Sequence, residues 1–274
     1  MFNFKNPQKN PLFNYYAPLN SRFKGIISIP HSGEDIPEEF RAFLTENTKL
    51  YKEDVDYKVN DLVDIEKLQN AGIGVLVAHV HRICVDLNRS ENQCVLFWKN
   101  NTKGKQLVIR DPSEDQIEMF IQSYHRPYFE VLKSILKELE SQHSDPVSMI
   151  DLHSMPSRPT EYHLKQNPHQ KSHREDFCLS DRKGKTCSKE FIEFFKNSLE
   201  THSYSVALND PYVGGYVTEY VDQFKTNNIQ IEINRSIYMD EDLKILLPEK
   251  VQSLRPKLTQ TLVDGLDLFA TNKP

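Results

Sequence analysis

The stretch Val147–Ser154, VSMIDLHS, reads as a short buried strand whose carboxyl end carries Asp151 and His153. Two runs of the same kind precede it. Gly25–Pro30, GIISIP, is rich in β-branched residues and runs into His31-Ser32-Gly33, while Ile73–Val80, IGVLVAHV, continues or restarts through RICVDLNR at 82–89. A fourth, IQIEIN, occupies 229–234. Between these strands the periodicity changes. Residues 38–70 place Val59, Leu62, Val63 and Leu68 on one helical stripe and break at Ala71-Gly72. The clearest helix runs from Asp111-Pro112-Ser113 to about His143, with Ile117, Phe120, Ile121, Tyr124, Tyr128, Val131, Leu132, Ile135 and Leu139 at helical spacing and Pro127 as a kink or split. Further helices are expected from Ser188 to about His202, near Gly215 to Lys225, and at the carboxy terminus. Strand, helix, strand in this order predicts an α/β fold. Residues 1–24 read as an irregular lead-in, 156–176 as a long polar loop, and 25–274 as one domain without repeats.

Composition narrows the function. Among 274 residues, 34 Lys+Arg oppose 39 Asp+Glu, a formal net charge of −5, which argues against nucleic acid as a partner. Only 9 glycines occur, with no Gly-x-Gly-x-x-Gly or Gly-x4-Gly-Lys run, so a nucleotide-cradling loop is not expected. Cys84, Cys94, Cys178 and Cys187 show no Cys-x2-Cys spacing and read as reduced thiols. The first residues lack the continuous apolar core of a signal peptide, and no apolar run is long enough to span a bilayer. A cytoplasmic protein acting on a small molecule is the expectation, with its oligomeric state open.

Four local clusters carry chemistry. In Pro30-His31-Ser32-Gly33-Glu34, His31 and Glu34 stand three residues apart at a strand end, where a turn or short helix would aim an imidazole and a carboxylate at one point suited to Zn²⁺. Taken alone, such a pair is more often a surface contact than a ligand pair. His153 is the best candidate for a third ligand, because ligands in open α/β sheets gather outside the carboxyl ends of strands; without partners it reads as a hydrogen-bonded buried histidine. In Val85-Asp86-Leu87-Asn88-Arg89, the Arg89 guanidinium and Asn88 amide suit an anionic substrate group, and Asp86 suits the second nitrogen of a ligand histidine; a strand-end turn with a structural salt bridge fits the cluster as well. Glu232, between Ile231 and Ile233, is a carboxylate whose pKa burial would raise toward that of a general base, unless Arg235 merely pairs with it.

Together PHSGE (30–34), VDLNR (85–89), DLHS (151–154) and IEINR (231–235) resemble, in order and context, the N-formylglutamate amidohydrolase family, and they echo the zinc carboxypeptidases. Arg82, LSDRKGKTCS at 179–188 and NDPYVGGY at 209–216 look like the amidohydrolase family in particular, so the likeness runs from about Gly25 to Asp240. The resemblance implies a single three-layer α/β/α domain with a central mixed, largely parallel sheet, zinc-carboxypeptidase-like or phosphorylase/hydrolase-like. It implies His31, Glu34 and His153 as zinc ligands, Asp86 behind them, Asn88 and Arg89 as substrate anchors, and Glu232 as the base. Either Arg82 or Arg235 would stabilise the oxyanion; Tyr212 or Tyr216, beside the Gly214-Gly215 pair, could cover a substrate or equally serve core or lid packing.

The implied reaction is zinc-dependent hydrolysis of N-formyl-L-glutamate to formate and L-glutamate. A carboxypeptidase-like peptidase or a deacylase of another N-acyl amino acid is the first rival, and a zinc- or anion-binding protein without turnover the second. His79 and His81 read as structural, and His163, His169 and His173 as solvated residues of the 156–176 loop. Ser32 and Ser154 read as donors beside the ligands rather than as nucleophiles.

Overall fold

A computed structural model describes residues 11–19, 22–143 and 146–270. Seven strands, β1 (Phe13–Tyr16), β2 (Gly25–Ile29), β3 (Ile73–Ala78), β4 (Ser148–Met155), β5 (Phe177–Ser180), β6 (Val206–Leu208) and β7 (Asn227–Asn234), form one sheet in the order β1-β3-β2-β4-β7-β5-β6. The contacts β3–β2, β2–β4, β4–β7 and β5–β6 are parallel, whereas β1–β3 and β7–β5 are antiparallel. A small hairpin pairs β8 (Met239–Asp240) with β9 (Ile245–Leu246). The helices are α1 (Glu38–Arg41), α2 (Ile65–Asn70), α3 (Glu114–Phe120), α4 (Arg126–Gln142), α5 (Glu161–Gln166), α6 (Lys189–Thr201), α7 (Tyr216–Asp222) and α8 (Pro248–Leu268).

The central strands are apolar on both faces because helices cover both. On one side Leu132, Ile135 and Leu136 of α4 pack in one cluster with Ile26, Leu76 and Met149. On the other, Phe195 of α6 and Leu258 and Leu262 of α8 share a cluster with Ile27, Val75, Ile150 and Ile229. Successive residues of each strand thus feed opposite cores, giving a single three-layer α/β/α domain around a mixed sheet.

Several sequence expectations are corrected. Within the stretch read as an irregular lead-in, Phe13–Tyr16 forms β1 on the edge of β3; residues 1–10 lie outside the described residues. The helical span 38–70 is broken into α1, two 3-10 turns at Thr48–Glu53 and Val59–Leu62, and α2. Its stripe residues Val59, Leu62, Val63 and Leu68 are nevertheless buried. RICVDLNR is a series of turns with one isolated bridge, Val85 to Val95, although Ile83, Cys84, Val85 and Leu87 are buried. A short apolar run reports burial and leaves the backbone undetermined. The long helix splits at a π-helical turn, Ile121–His125, which lets Pro127 enter the first turn of α4, where its missing N–H costs no hydrogen bond. The polar loop 156–176 contains α5.

Candidate active site

The carboxyl ends of β2, β4 and β7, with the turns after β3, surround a cleft of about 390 Å³. His31 lies two residues beyond β2, and His153 on β4 stands in direct register with Glu232 on β7. Asp56 reaches the same place from the segment between the two 3-10 turns, held there by its backbone N–H, which donates to the His31 carbonyl at 3.0 Å. His31, Asp56 and His153 each offer one ligand atom, and these atoms lie within 4.8 Å of one another, all buried.

Their hydrogen bonds suit a divalent cation. His31 Nε2 faces Asp86 Oδ1 at 2.8 Å, so that nitrogen carries the proton and the opposite Nδ1, buried and without a hydrogen-bond partner, keeps its lone pair. His153 Nε2 likewise faces Asp151 Oδ2 at 2.9 Å, and its Nδ1 faces Asp56 Oδ2 at 2.9 Å. Strand periodicity makes this possible, since Asp151 and His153, two residues apart, share a face. Two imidazoles, each backed by a carboxylate, converging with a third carboxylate are a donor set that fits Zn²⁺. Burial, with help from Arg82, pushes His31 down to about 4, so it is neutral at pH 7 and able to ligate. Burial would lower His153 too, but Asp151 and Asp56 hold it well above the ordinary value. Burial raises Asp56, and the hydrogen bond and charge of His153 more than reverse this.

Glu34 is not brought to this group. Its carboxylate pairs with Lys58 at 2.7 Å, one-third exposed, beside a separate hollow lined by Ile36, Arg41, Lys52 and Tyr124. The expected turn or short helix is absent: beyond a bend at His31 the chain is irregular until Asp35, whose N–H donates to the His79 carbonyl at 2.9 Å and which is bridged to Val80, so the backbone is drawn along the end of β3. Gly33 permits that course, because a Cβ there would lie 2.3 Å from the His79 carbonyl oxygen. Asp56, which sequence reading missed, stands beside the histidines instead; it lies 25 residues from His31 with no motif spacing to mark it.

Asp86 receives four donors. His31 Nε2 and the Asn88 N–H reach Oδ1, and Arg82 Nη2 (2.8 Å) and Trp98 Nε1 (2.7 Å) reach Oδ2. Burial would raise its pKa, yet Arg82 and His31 hold it well below the carboxylate range. Arg82 is thereby tied to Asp86. Arg235 is tied to the segment carrying Asp56, donating to Asp56 Oδ1 (3.2 Å), to the Glu53 and Val55 carbonyls and to Ser154 Oγ. Ser154 Oγ in turn donates to Asp56 Oδ1 at 3.2 Å, whereas Ser32 Oγ is buried without a partner.

Burial pushes Glu232 up to about 7, Asp56 adding to the effect and His153 opposing it. Its Oε1 accepts from Gln230 Nε2 at 2.7 Å. Gln230, also missed in the sequence, takes the Gly215 N–H (2.9 Å) and Asn88 Nδ2 (3.3 Å) on its own carbonyl oxygen, which obliges its amide nitrogen to face Glu232. Asn88 Oδ1 accepts the Val217 N–H, so Asn88, the start of α7 and Glu232 form one network. Period-2 alternation from Glu232 was the available signal for Gln230. Arg89 lines the cleft with its guanidinium 4.9 Å from the Phe97 ring centre.

Tyr216 packs away from the cleft, against Phe129 and His125, while Tyr212 lines it. His163 is also a cleft residue, not a solvated one, while His169 and His173 are exposed. His81 is structural: its Nδ1 accepts the Ile83 N–H and its Nε2 faces the Tyr51 carbonyl.

The model of the N-formylglutamate amidohydrolase family matches residues 23–239. No curated protein matches the sequence. Among solved structures, N-formylglutamate amidohydrolase from Ralstonia eutropha JMP134 superposes with a TM-score of 0.83 at 23% identity, covering 94% of this chain and 98% of that one. The gene product Atu2144 from Agrobacterium tumefaciens follows at 0.67 and 15%, covering 94% and 95%. A metallo-carboxypeptidase from Burkholderia cenocepacia aligns at 0.39 and 14%, covering 94% and 62%. With the family's model spanning every element from β2 to β7, the chain belongs to the N-formylglutamate amidohydrolase family and is a hydrolase of amide bonds.

Proposed function

We propose that the protein is a zinc-dependent hydrolase of N-acylated acidic amino acids, with N-formyl-L-glutamate the best-supported substrate. The convergence of His31 Nδ1, Asp56 and His153 Nδ1 beside a Glu232 raised to about 7 carries this reading. His31, Asp56 and His153 would hold the metal. A zinc ion bound there supplies a Lewis acid that acidifies water and polarises a carbonyl.

The chain's own residues do the rest. Glu232 accepts the proton of the attacking water at Oε2, because Oε1 is engaged by Gln230, and returns it to the departing amine. A carboxyl raised by burial is matched to both transfers near neutral pH. Asp86 and Asp151 hold the two imidazoles in the tautomers that present Nδ1. Arg89 grips a substrate carboxylate, with Asn88 fixing the backbone from which it projects. Arg82, a cleft-lining residue held by Asp86, would face the oxyanion, whereas Arg235 positions Asp56. The cleft, about 390 Å³, accommodates a small acyl amino acid and supports this reading over a long peptide.

The test is formate release from N-formyl-L-glutamate alongside a panel of dipeptides and N-acetyl amino acids, with zinc measured per chain. Formate release that is lost on chelation and restored by zinc is expected. Turnover confined to peptides, or full activity in metal-free protein, would overturn the reading.

A further inference from the structure

Tyr212 is the cleft residue whose hydrogen bonding is incomplete in an informative way. Its main chain is pinned, the carbonyl accepting from Ser180 Oγ at 2.8 Å, and the Arg174 guanidinium lies 5.2 Å from its ring centre. Its phenolic oxygen lies 3.2 Å from Arg174 Nη1 and 3.3 Å from His163 Nε2. Arginine can only donate. His163 Nδ1 accepts the Thr160 N–H at 3.1 Å, which leaves the ring proton of the neutral imidazole on Nε2, so His163 also donates to Tyr212. Burial and the nearby Arg174 charge push His163 down to about 4, in keeping with a neutral ring. Both acceptor positions of the phenol are therefore filled. Its own proton has no protein acceptor among the described residues, and two donors behind it strengthen it as a donor.

The other cationic groups leave this position to Tyr212. Arg82 is committed to Asp86, Arg235 to Asp56, and Arg174 stands behind the Tyr212 ring, so Arg89 is the guanidinium open to a first carboxylate. The wall formed by α5 and the turn after it presents Tyr162, Gln166, Asn167 and Gln170, which are polar and uncharged. We infer that Tyr212 is a specificity-determining residue that donates its phenolic proton to the side-chain carboxylate of an acidic N-acyl amino acid, with Arg174 and His163 orienting it. The inference rests on the amide-hydrolase reading above and adds the group that recognises the second carboxylate.

The experiment compares kcat/KM for N-formyl-L-glutamate and for N-formyl-L-norvaline, in which a methyl group replaces that carboxylate, in the parent protein, in Tyr212→Phe and in Arg174→Gln. A hydrogen bond to a charged group predicts that Tyr212→Phe lowers the glutamate-to-norvaline ratio about tenfold or more, chiefly through KM for the glutamate substrate. Arg174→Gln, which removes the charge behind the phenol, lowers the ratio in the same direction. Should Tyr212→Phe melt well below the parent, the Arg174→Gln ratio decides. An unchanged ratio, or an equal loss on both substrates, overturns the inference. A parent protein releasing formate from neither substrate overturns the proposed N-formyl substrate instead, which separates the two failures.

Discussion

Asp56 touches His153, Ser154 and Arg235 through one buried carboxylate, and replacing it tests the metal assignment at a single residue. Asp56→Ala is expected to leave little zinc on the chain and to cut formate release by more than the about 100-fold typical of changes to outer carboxylates. Glu34→Gln breaks only an exposed pair worth about 1 kcal/mol or less and should leave zinc content and activity at parent levels. Metal analysis with formate assays of both variants checks this, and the reverse pattern would restore Glu34 as the ligand. Glu232 makes a second prediction at this scale, in metal-stripped protein. Its folded pKa, about 7, exceeds the ordinary 4.5, so the folded state binds the extra proton and gains from this group fully below pH 4.5, losing that gain as pH rises through 7. Glutamine mimics the protonated form. Urea denaturation with chelator present should find Glu232→Gln close to the parent at pH 4.5 and more stable by about 3 kcal/mol at pH 8. A difference that does not grow with pH would contradict the burial of this carboxylate.

Elements meet at the start of α7, where two backbone N–H groups reach side chains of other segments: Gly215 to Gln230 on β7, and Val217 to Asn88 beyond β3. A Cβ on Gly215 would lie 2.2 Å from the Asn88 carboxamide, so Gly215→Ala must displace it. The expected cost is about 1–3 kcal/mol of stability, read by thermal melting, with KM raised because the Asn88-Arg89 segment shifts. Gln230→Leu leaves the Gly215 N–H unpaired and frees Glu232 to turn; a misplacement of about 1 Å at a reacting group costs on the order of 100-fold, here in kcat rather than KM. Steady-state kinetics of the two variants should therefore diverge in which constant they alter. Part of this was legible beforehand. The strands GIISI, IGVLVA and IQIEIN and the helix ending at Gln142 follow from apolar runs and 3.6-residue periodicity, which are local properties. RICVDLNR was misread as strand, because apolar composition signals burial and not the hydrogen-bond partner.

Over the whole molecule, the sheet order places the ends of β2, β4 and β7 side by side and so collects Asp56, Asp86, Asp151 and Glu232 at one buried rim, faced by Arg82 and Arg235. A divalent cation relieves that excess of buried negative charge, and binding only the folded state stabilises it by linkage, about 2.7 kcal/mol at free metal one hundred times Kd. Chelation should lower the melting temperature reversibly in the parent and in Glu34→Gln, but not in Asp56→Ala; calorimetry with and without zinc checks this. Burial preference and periodicity are written in neighbouring residues, so the buried segments, most of the strands and helices, and the positions of His31, His153 and Glu232 at or just beyond strand ends are readable from the chain alone, whereas Asp86 lies in turns eight residues past β3. The folded contacts settle the rest: Asp56 and not Glu34 meets the two histidines, Gln230 turns toward Glu232, and Tyr212 and not Tyr216 faces the cleft. The direction of a side chain at these points depends on whether the backbone is extended or turned and on which distant N–H claims each acceptor, and those partners lie tens to hundreds of residues away in the chain.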